Sequence, residues 1–350
     1  MRSVDLQVDV TEAAGLREPA HIALTVTVPD ELPPSPVVCF AKPGAGYSRG
    51  YYTVDLPGNG VGSQADWHAA RGWVVVSVDH LGVGESSQHG PDALTFSAVV
   101  GAAQAAEADV VQKLAAGTLI DGLGKVERPV RIGVGQSMGG SLTVLQQGRY
   151  HCYDGIGVLG YSVFHTLPPT PPGVPDLVLP WTPRDVLPSA GVFTNAPALA
   201  AGSAVDGEAV SLAWGFHYDD VDPAVVARDM DDYPARHGDL PPWGSATIPG
   251  TVALWCVSAG STLTEAAAVR SPVLVALGER DVLVDPRGEL RAYESASSVD
   301  YFVCPKSAHM HNFAGTREVF WRRIETWAAW VRAQHDAARE ADRAGTGPVA

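Results

Sequence analysis

Two patterns of hydrophobic residues predict the strands of this chain. Val4–Val10 and Ile22–Val28 alternate apolar and polar residues, which is typical of antiparallel strands with one face in water. Six other runs are short, largely apolar and rich in β-branched residues, as expected of parallel strands buried on both faces. These runs are Pro36–Ala41, Trp73–Val78, Val130–Val134, Gly155–Gly160, Val273–Leu277 and Val299–Val303.

Stretches with helical periodicity lie between the apolar runs. They are Gln64–Arg71, Ala93–Ala116, Ser141–Gly148 and Arg317–Arg339. Strand and helix therefore alternate, which predicts an α/β fold with a mostly parallel, eight-stranded sheet flanked by helices. In such a sheet, ligands bind near the carboxyl ends of the strands.

One long segment, 165–270, breaks this alternation. It opens with the proline-rich run LPPTPPGVPDLVLPWTP and continues with scattered aromatic residues. An insertion of this size between two strands predicts a mainly helical cap over the active site. The expected division is a core in two parts, 1–164 and 271–340, with the cap between them and a disordered tail at 341–350.

The insertion also carries acidic and aromatic side chains. Its acids include Asp219, Asp220, Asp222, Asp229, Asp231 and Asp232. A solvated helix face is the expected place for such a run, although a cationic substrate is the alternative. The tryptophans and tyrosines indicate either the wall of an apolar pocket or the cap's own small core, and Trp181 and Trp214 are candidate substrate contacts.

Composition narrows the class of partner. The formal net charge is −15 and the pI is about 5.0, with only four lysines, which disfavours nucleic acid and anionic membranes. The four cysteines lie far apart without C-x-x-C spacing, as expected of free thiols in a reducing cytoplasm. Neither a signal peptide nor an apolar stretch of 18 residues is present in the sequence, so we expect a soluble cytoplasmic protein.

The strongest chemical signal is the sequence VRIGVGQSMGG at 130–140. An apolar run breaks at a G-x-S-x-G motif centred on Ser137 and is followed by a helical stretch, which is the context of a nucleophile elbow. Ser48 has the same motif, but it lies in a Gly/Tyr-rich stretch without a helical pattern after it. A G-x-G-x-x-G spacing at 155–160 lies inside an apolar run, which favours a buried strand over a dinucleotide site.

Four landmarks in this order make the chain similar to the α/β-hydrolase superfamily over nearly its whole length. They are the loop Lys42–Tyr47, the turn Asp79–Ser86, the elbow at Ser137, and the pair of segments Gly278–Asp281 and Ser307–His309. The order Ser, Asp, His is the one that this superfamily uses.

The chemistry of a serine nucleophile requires the same three residue types. A hydroxyl needs an imidazole to remove its proton, and a carboxylate must hold that imidazole in the correct tautomer. We predict Ser137 as nucleophile, His309 as general base and Asp281 as the orienting acid. His311 is the alternative base or a residue that lines the site, and its H-x-H spacing with His309 also suits a metal site, although the sequence offers no third ligand nearby.

For the acid, Glu279 and Asp285 compete with Asp281. An acid at the carboxyl end of a strand points into the site, which favours Asp281.

An oxyanion hole needs two donors near the developing charge. We predict the N–H of Met138 and that of Gly44, with Ala45 as the alternative to Gly44. The resemblance implies a histidine where this chain has Lys42, a departure from the common His-Gly pattern. The nearby tyrosines, Tyr47, Tyr51 and Tyr52, are expected either to pack or to add a phenolic donor.

Six residues are predicted to contact substrate. They are Ala45, Tyr47, His80, Trp181, Trp214 and His311. His80 has a second interpretation as a structural hydrogen-bonding residue of its turn.

The sequence thus predicts a cofactor-independent serine hydrolase, without a metal, for a carboxylic ester or lactone with a bulky apolar portion. The segments KPGAGYSRGYY and DHLGVGESS are similar to those of actinobacterial hydrolases that include zearalenone-type lactonases. Alternatives are C–C bond hydrolysis or acyl transfer by the same triad, or a non-catalytic receptor of this fold for a small molecule. A homo-oligomer is compatible with the sequence.

Overall fold

The structure is a computed structural model that describes residues 1–56, 62–90, 92–177, 179, 181–186, 204–205, 208–209, 212–234 and 236–343. Its strands are β1 (Arg2–Asp9), β2 (His21–Val28), β3 (Val37–Lys42), β4 (Val74–Val78), β5 (Val130–Gln136), β6 (Gly155–Leu159), β7 (Ala204–Val205), β8 (Glu208–Ala209), β9 (Val273–Arg280) and β10 (Val299–Ala308). Its α-helices are α1 (Thr11–Ala14), α2 (Gly50–Thr53), α3 (Gln64–Ala69), α4 (Phe96–Ala116), α5 (Met138–Tyr150), α6 (Ala213–Phe216), α7 (Pro223–Met230), α8 (Gly250–Val257), α9 (Leu263–Ala268) and α10 (Arg317–Arg343). Two 3₁₀ turns lie at Gly288–Ala292 and His311–Phe313.

Eight strands form one sheet in the order β1-β2-β4-β3-β5-β6-β9-β10. β1 pairs antiparallel with β2, and β2 pairs antiparallel with β4, while every later pair in the sheet is parallel. The prediction of a mostly parallel, eight-stranded sheet is confirmed. β7 and β8 form a separate two-stranded hairpin.

Alternate residues of the central strands pack on opposite faces of this sheet. On β3, Phe40 belongs to a buried cluster with residues of α4 and α5. Its neighbours Cys39 and Ala41 belong to a second cluster, which includes residues of α10. Helices therefore cover both faces, which is why the parallel strands are apolar nearly throughout.

The ends of several elements differ from the sequence prediction. α4 begins three residues late, at Phe96, because the Thr95 side chain caps it by accepting the N–H of Ala98 at 3.2 Å. α5 begins directly after Ser137 instead of at Ser141. α10 continues to Arg343, so the first residues of the predicted disordered tail are helical, and 344–350 lie outside the described residues.

The insertion joins β6 to β9, two neighbouring strands of the sheet. Its described part contains the β7–β8 hairpin and the four short helices α6, α7, α8 and α9, and the last of these packs against α5. The division of the chain into core and cap stays a prediction. Within the described residues, no helix is both long enough and apolar enough to cross a membrane.

Candidate active site

Ser137 occupies a sharp turn between β5 and α5. Its backbone has φ 55° and ψ −120°, a left-handed conformation that a serine rarely adopts. A Cβ on Gly135 would lie 2.0 Å from the Gly139 carbonyl oxygen, and one on Gly139 would lie 2.1 Å from that of Lys42. Only glycine fits at both positions, and the turn holds the Ser137 side chain at the carboxyl end of β5.

His309 and Asp281 meet at the carboxyl ends of two neighbouring strands, β10 and β9. His309 Nδ1 lies 2.7 Å from Asp281 Oδ1, and both side chains are buried. Because an ionised carboxylate only accepts hydrogen bonds, His309 carries its proton on Nδ1 and keeps Nε2 free to accept another. Backbone N–H groups of Val282 and Gly278 also donate to Asp281, each at 2.8 Å.

His311 contacts the same carboxylate from its other side. His311 Nε2 lies 2.7 Å from Asp281 Oδ2, and the His311 ring stacks on Phe320 with a centroid distance of 4.2 Å. Burial lowers the pKa of His311, although Asp281 partly opposes this effect. Both histidines of the H-x-H motif therefore bind Asp281.

The pKa of Asp281 reflects these competing influences. Burial alone would raise it, but the interactions with His309 and His311 outweigh burial and hold the pKa far below its ordinary value. Asp281 is thus ionised at neutral pH.

Gly160 makes room for the His309–Asp281 pair. It follows β6 with φ +56°, and a Cβ there would lie 3.0 Å from His309 Nδ1 and 3.1 Å from Asp281 Oδ1. Sequence analysis placed Gly160 in a buried strand and missed this contact. The sequence signal for this contact was a glycine at the carboxyl end of β6, the strand beside β5, because a glycine at a strand end often marks a close approach of other groups.

Gln136, the residue before Ser137, was also missed. Its Nε2 donates to the His309 carbonyl oxygen at 3.0 Å and lies 3.3 Å from His309 Nε2. A Cβ on Gly44 would lie 2.5 Å from Gln136 Oε1 and 3.1 Å from Ser137 Cβ. The Gln136 amide therefore lies between His309 and the loop that contains Gly44.

The two predicted oxyanion donors lie next to Ser137. Met138 is the first residue of the 13-residue helix α5, so its N–H has no acceptor within the helix. Gly44 approaches Ser137 from the loop after β3, since a Cβ placed on Gly44 would lie only 3.1 Å from Ser137 Cβ. Their role as the oxyanion hole stays a prediction.

Lys42, at the position where the resemblance implies a histidine, points away from Ser137. Its buried ammonium lies 2.6 Å from Glu107 Oε1 and donates to Tyr153 Oη at 2.6 Å. This is the α4 and α5 side of the sheet, the same side on which Phe40 packs. Because side chains alternate along a strand, Lys42 follows Phe40 to that face.

The loop after Lys42 is held largely by the inserted segment. Tyr233 Oη donates to the Ala45 carbonyl oxygen at 3.1 Å, and Arg236 donates to that of Gly46. From the core, His80 Nε2 donates to the Pro43 carbonyl oxygen at 2.9 Å. The insertion thus fixes the backbone of the predicted oxyanion loop.

Asp229 is buried at the centre of these contacts, so its assignment to a solvated helix face was wrong. Its carboxylate accepts hydrogen bonds from Tyr47 Oη at 2.6 Å, His217 Nε2 at 2.8 Å, Arg236 Nη2 at 3.1 Å and Trp243 Nε1 at 2.6 Å. The partners come from the loop after β3 and from the insertion. Such long-range pairing is invisible in the local pattern of charges.

A cavity of about 220 Å³ opens at Ser137 and His309. The insertion supplies most of its wall, and the rest of the chain supplies Ser137 and His309. The residues around it are Ala45, Ser137, Met138, Tyr161, Thr166, Pro168, Leu177, Leu179, Leu212, Phe216, Tyr233, Ala253, Cys256, Val257, Val282 and His309. Of the predicted substrate contacts, only Ala45 is among them.

The five other predicted contacts have different places. Trp181 is 66% exposed, and Trp214 packs under the Arg280 guanidinium with 4.1 Å between Cζ and the ring centroid. Tyr47, His80 and His311 turn toward Asp229, Pro43 and Asp281 as described above. Sequence analysis missed most of the residues that form the wall, because their side chains converge from distant parts of the insertion.

The comparisons with known proteins agree with this architecture. Residues 60–313, more than two thirds of the chain, match the family described as serine aminopeptidase, S33. The chain belongs to this family of hydrolases. Among curated proteins, none matches the sequence significantly.

This hydrolase shares its fold with several solved structures. It is similar to a peroxisomal alpha-beta-hydrolase from Saccharomyces cerevisiae, with TM-score 0.56, 11% identity, and coverage of 94% of this chain and 89% of that one. It is also similar to a thermophilic esterase from Thermogutta terrifontis, with TM-score 0.54, 15% identity, and coverage of 93% of this chain and 99% of that one. For an enol-lactonase from Burkholderia xenovorans, the TM-score is 0.53 and the identity 14%, with coverage of 91% of this chain and 96% of that one. At these identities the likeness shows the fold alone.

The H-x-H spacing of His309 and His311 in this hydrolase also suits a metal site. Across the described parts of the chain, no group of three or more His, Cys, Asp or Glu side chains is placed to hold a metal ion. Both histidines instead engage Asp281.

Proposed function

We propose that this hydrolase cleaves a carboxylic ester or lactone with a bulky apolar portion, using Ser137, His309 and Asp281. The observation that carries the proposal is that Ser137 and His309 face one cavity while His309 is bonded to the buried Asp281. The three residues occupy the roles of nucleophile, base and orienting acid.

Acylation begins when His309 Nε2 takes the Ser137 hydroxyl proton as Oγ attacks the substrate carbonyl carbon. The resulting imidazolium is stabilised by Asp281, whose depressed pKa keeps it ionised. His309 then donates that proton to the alkoxide leaving group as the C–O bond breaks. Acyl-enzyme on Ser137 and a free alcohol are the products of this half.

Deacylation repeats these steps with water as the nucleophile. His309 removes a proton from water, which attacks the acyl carbon, and the same proton returns to Ser137 Oγ as the acid leaves. For a lactone, the alcohol and acid are parts of one product. Met138 and Gly44 N–H groups would stabilise the oxyanion in both halves, and losing one such donor typically costs about 10²–10³ in kcat.

The cavity wall supports an uncharged, apolar substrate. Apart from His309, none of the side chains known to form the wall belongs to the charged types Asp, Glu, Lys, Arg or His within the described residues. An ionised substrate would lose its hydration there without an ion partner. The similarities to an esterase and an enol-lactonase are compatible with cleavage of an ester or lactone bond.

We also propose that 165–270 acts as the cap, since this segment contributes most of the cavity wall.

Peptide hydrolysis is the second candidate, because the family is described as a serine aminopeptidase. An aminopeptidase must bind a cationic amino terminus beside the scissile bond. No carboxylate belongs to the cavity wall in the described part of the chain, which favours an ester or lactone.

The test is turnover of p-nitrophenyl esters, aromatic lactones and aminoacyl p-nitroanilides by wild type and Ser137→Ala. Intact-mass measurement after treatment with a fluorophosphonate locates the nucleophile. We expect wild type to hydrolyse the esters or lactones and to gain one adduct on Ser137, and Ser137→Ala to do neither.

Ser48→Ala is the matched control, because Ser48 has the same G-x-S-x-G motif but does not line the cavity. It should retain turnover and labelling. Faster turnover of the anilides would favour the peptidase, and acceptor-dependent products would favour acyl transfer. Ligand binding without turnover or labelling would favour a receptor.

A further inference from the structure

Two imidazoles share one carboxylate at this site. His309 approaches Oδ1 of Asp281 and His311 approaches Oδ2, each at 2.7 Å. With the N–H groups of Gly278 and Val282, the buried Asp281 carboxylate accepts four hydrogen bonds. A serine triad needs only one of the two imidazoles, so the second has no role in the mechanism above.

The geometry gives each histidine a defined tautomer. Both rings must present an N–H to the ionised carboxylate, so His311 is protonated on Nε2 and His309 on Nδ1. His311 Nδ1 is buried, and the hydrogen bonds of the described residues give it no partner. A proton there would be a buried charge without solvation, so His311 remains neutral.

His311 is enclosed by few ionisable groups. Asp281 and His309 face it from the ends of β9 and β10, and α10 presents the ring of Phe320. From α2, the Tyr51 hydroxyl accepts the N–H of Asn312, next in sequence to His311, and burial raises the pKa of Tyr51 far above the working range.

Arg317 begins α10, and its guanidinium donates to the carbonyl oxygens of Asn312 and Leu56. Burial lowers the pKa of Arg317, but arginine remains charged throughout the range in which enzymes work. Asp281 and His309 are therefore the groups whose ionisation His311 influences most directly.

We propose that His311 is a positioning residue that fixes the Asp281 carboxylate and draws off part of its negative charge, so that His309 holds a proton less tightly. The proposal rests on the assignment of His309 as the base. His311 does not line the cavity, so it acts through Asp281 and not on the substrate.

The consequence concerns activity in acid. His309 must be unprotonated to accept the Ser137 proton, and a carboxylate with its full charge would favour the protonated form. By donating to Oδ2, His311 weakens that attraction. The enzyme therefore stays active to lower pH than it would with Asp281 bound to His309 alone.

The test is the pH profile of kcat/KM for wild type, His311→Phe and His311→Gln. Phenylalanine keeps the stacking on Phe320 but cannot donate, so the acid limb should move to higher pH by about half to one unit. The glutamine amide can donate to Asp281, so its acid limb should lie closer to that of wild type. His68→Phe is the matched control, since His68 is equally buried and bonds the Gln64 carbonyl oxygen far from the triad.

An acid limb that stays in place in a folded His311→Phe variant overturns the proposal, as does an equal shift in His68→Phe. If His311→Phe does not fold, ¹⁵N NMR of wild type decides. Histidine labelling should show His311 as the neutral Nε2–H tautomer from pH 6 to 8. An Nδ1–H tautomer or a charged ring would overturn the proposal.

The same NMR experiment separates this proposal from the proposed function. If no ester, lactone or anilide is hydrolysed, the pH dependence of the His309 ring signals can still be compared in wild type, His311→Phe and His311→Gln. A shift to higher pH in His311→Phe, with wild-type behaviour in His311→Gln, would support the role of His311 even without turnover. No difference among the three would refute it.

Discussion

Asp281 and Asp229 are both buried carboxylates bonded to histidine among the described residues, but their surroundings differ. Asp281 is bound by two imidazoles and two backbone N–H groups. Asp229 is bound by Tyr47, His217 and Trp243 and also by the guanidinium of Arg236.

We propose that this difference separates the carboxylate of the proposed triad from a structural one. Arg236 neutralises Asp229, so the carboxylate can tie the loop after β3 to the insertion at little electrostatic cost. The described contacts of Asp281 include no permanent cation, so in the proposed mechanism its charge remains available to the imidazolium of His309. We infer that the charge of Asp281 serves the proposed reaction, whereas the charge of Asp229 serves to hold the loop after β3 against the insertion.

Asp281→Asn should produce the largest effect on activity. The asparagine amide would favour the wrong tautomer of His309, so we expect kcat to fall by about 10³–10⁴ while the fold is retained. Steady-state kinetics and circular dichroism measure the two quantities. A fall in kcat of less than tenfold would mean that Asp281 is not the orienting acid.

Asp229→Asn should instead act mainly on stability. It leaves the buried Arg236 without its ion partner, which typically costs about 3–5 kcal/mol of the free energy of unfolding. Urea denaturation measures this loss. Asp219→Asn is the control, because Asp219 pairs with Arg280 but is 75% exposed and should contribute about 1 kcal/mol or less.

If the two aspartate variants lost stability equally, the distinction between the carboxylates would fail. It would also fail if kcat per folded molecule fell more in Asp229→Asn than in Asp281→Asn.

Acid should destabilise the protein through histidines outside both carboxylate clusters. Burial lowers the pKa of His68 and of His80 to about 4 each, so the unfolded chain binds protons that the native state does not. Stability therefore falls as the pH drops below about 6.5, by about 1.4 kcal/mol per histidine at pH 5.5. Any loss of stability in acid that arises at Asp281 would add to this loss from His68 and His80.

Urea denaturation of wild type and His68→Phe at pH 7.5 and 5.5 checks this expectation. The variant should lose less stability between the two values than wild type does. An equal loss would show that His68 is not held neutral in the native state.

Tyr47→Phe should have the smallest effect. It removes one hydrogen bond and leaves Asp229 with three donors, so we expect a loss of about 1 kcal/mol in the free energy of unfolding. Tyr52→Phe is a comparable variant, since Tyr52 donates to the Lys42 carbonyl oxygen and not to Asp229. A loss as large as that in Asp229→Asn would mean that Tyr47, and not Arg236, dominates the cluster.

Local chemistry explains what could be predicted from the sequence. The parallel strands were recognisable because both of their faces are buried, and the elbow because a strained turn requires Gly135 and Gly139 around Ser137. The Asp281 segment was recognisable because it directly follows a buried strand. Two of the partners of Asp281 are backbone groups within three residues of it.

The burial of Asp229 could not be predicted in this way. Its four partners lie between positions 47 and 243, and none is close enough along the chain to mark Asp229 as different from the other acids of the insertion. The cavity wall could not be predicted for the same reason, since its residues are far apart in the sequence. Residues such as Thr166, Phe216 and Cys256 meet only when the insertion is placed over the sheet.

The sequence by itself determined the mostly parallel sheet and the turn that holds Ser137, because burial on both faces and backbone strain each leave a local pattern of residue types. Only the tertiary structure decided that His309 faces the cavity while His311 lies behind Asp281. The two histidines are separated by one residue and have the same chemistry. Their different environments come from β9, β10 and α10, which are joined by packing and not by sequence.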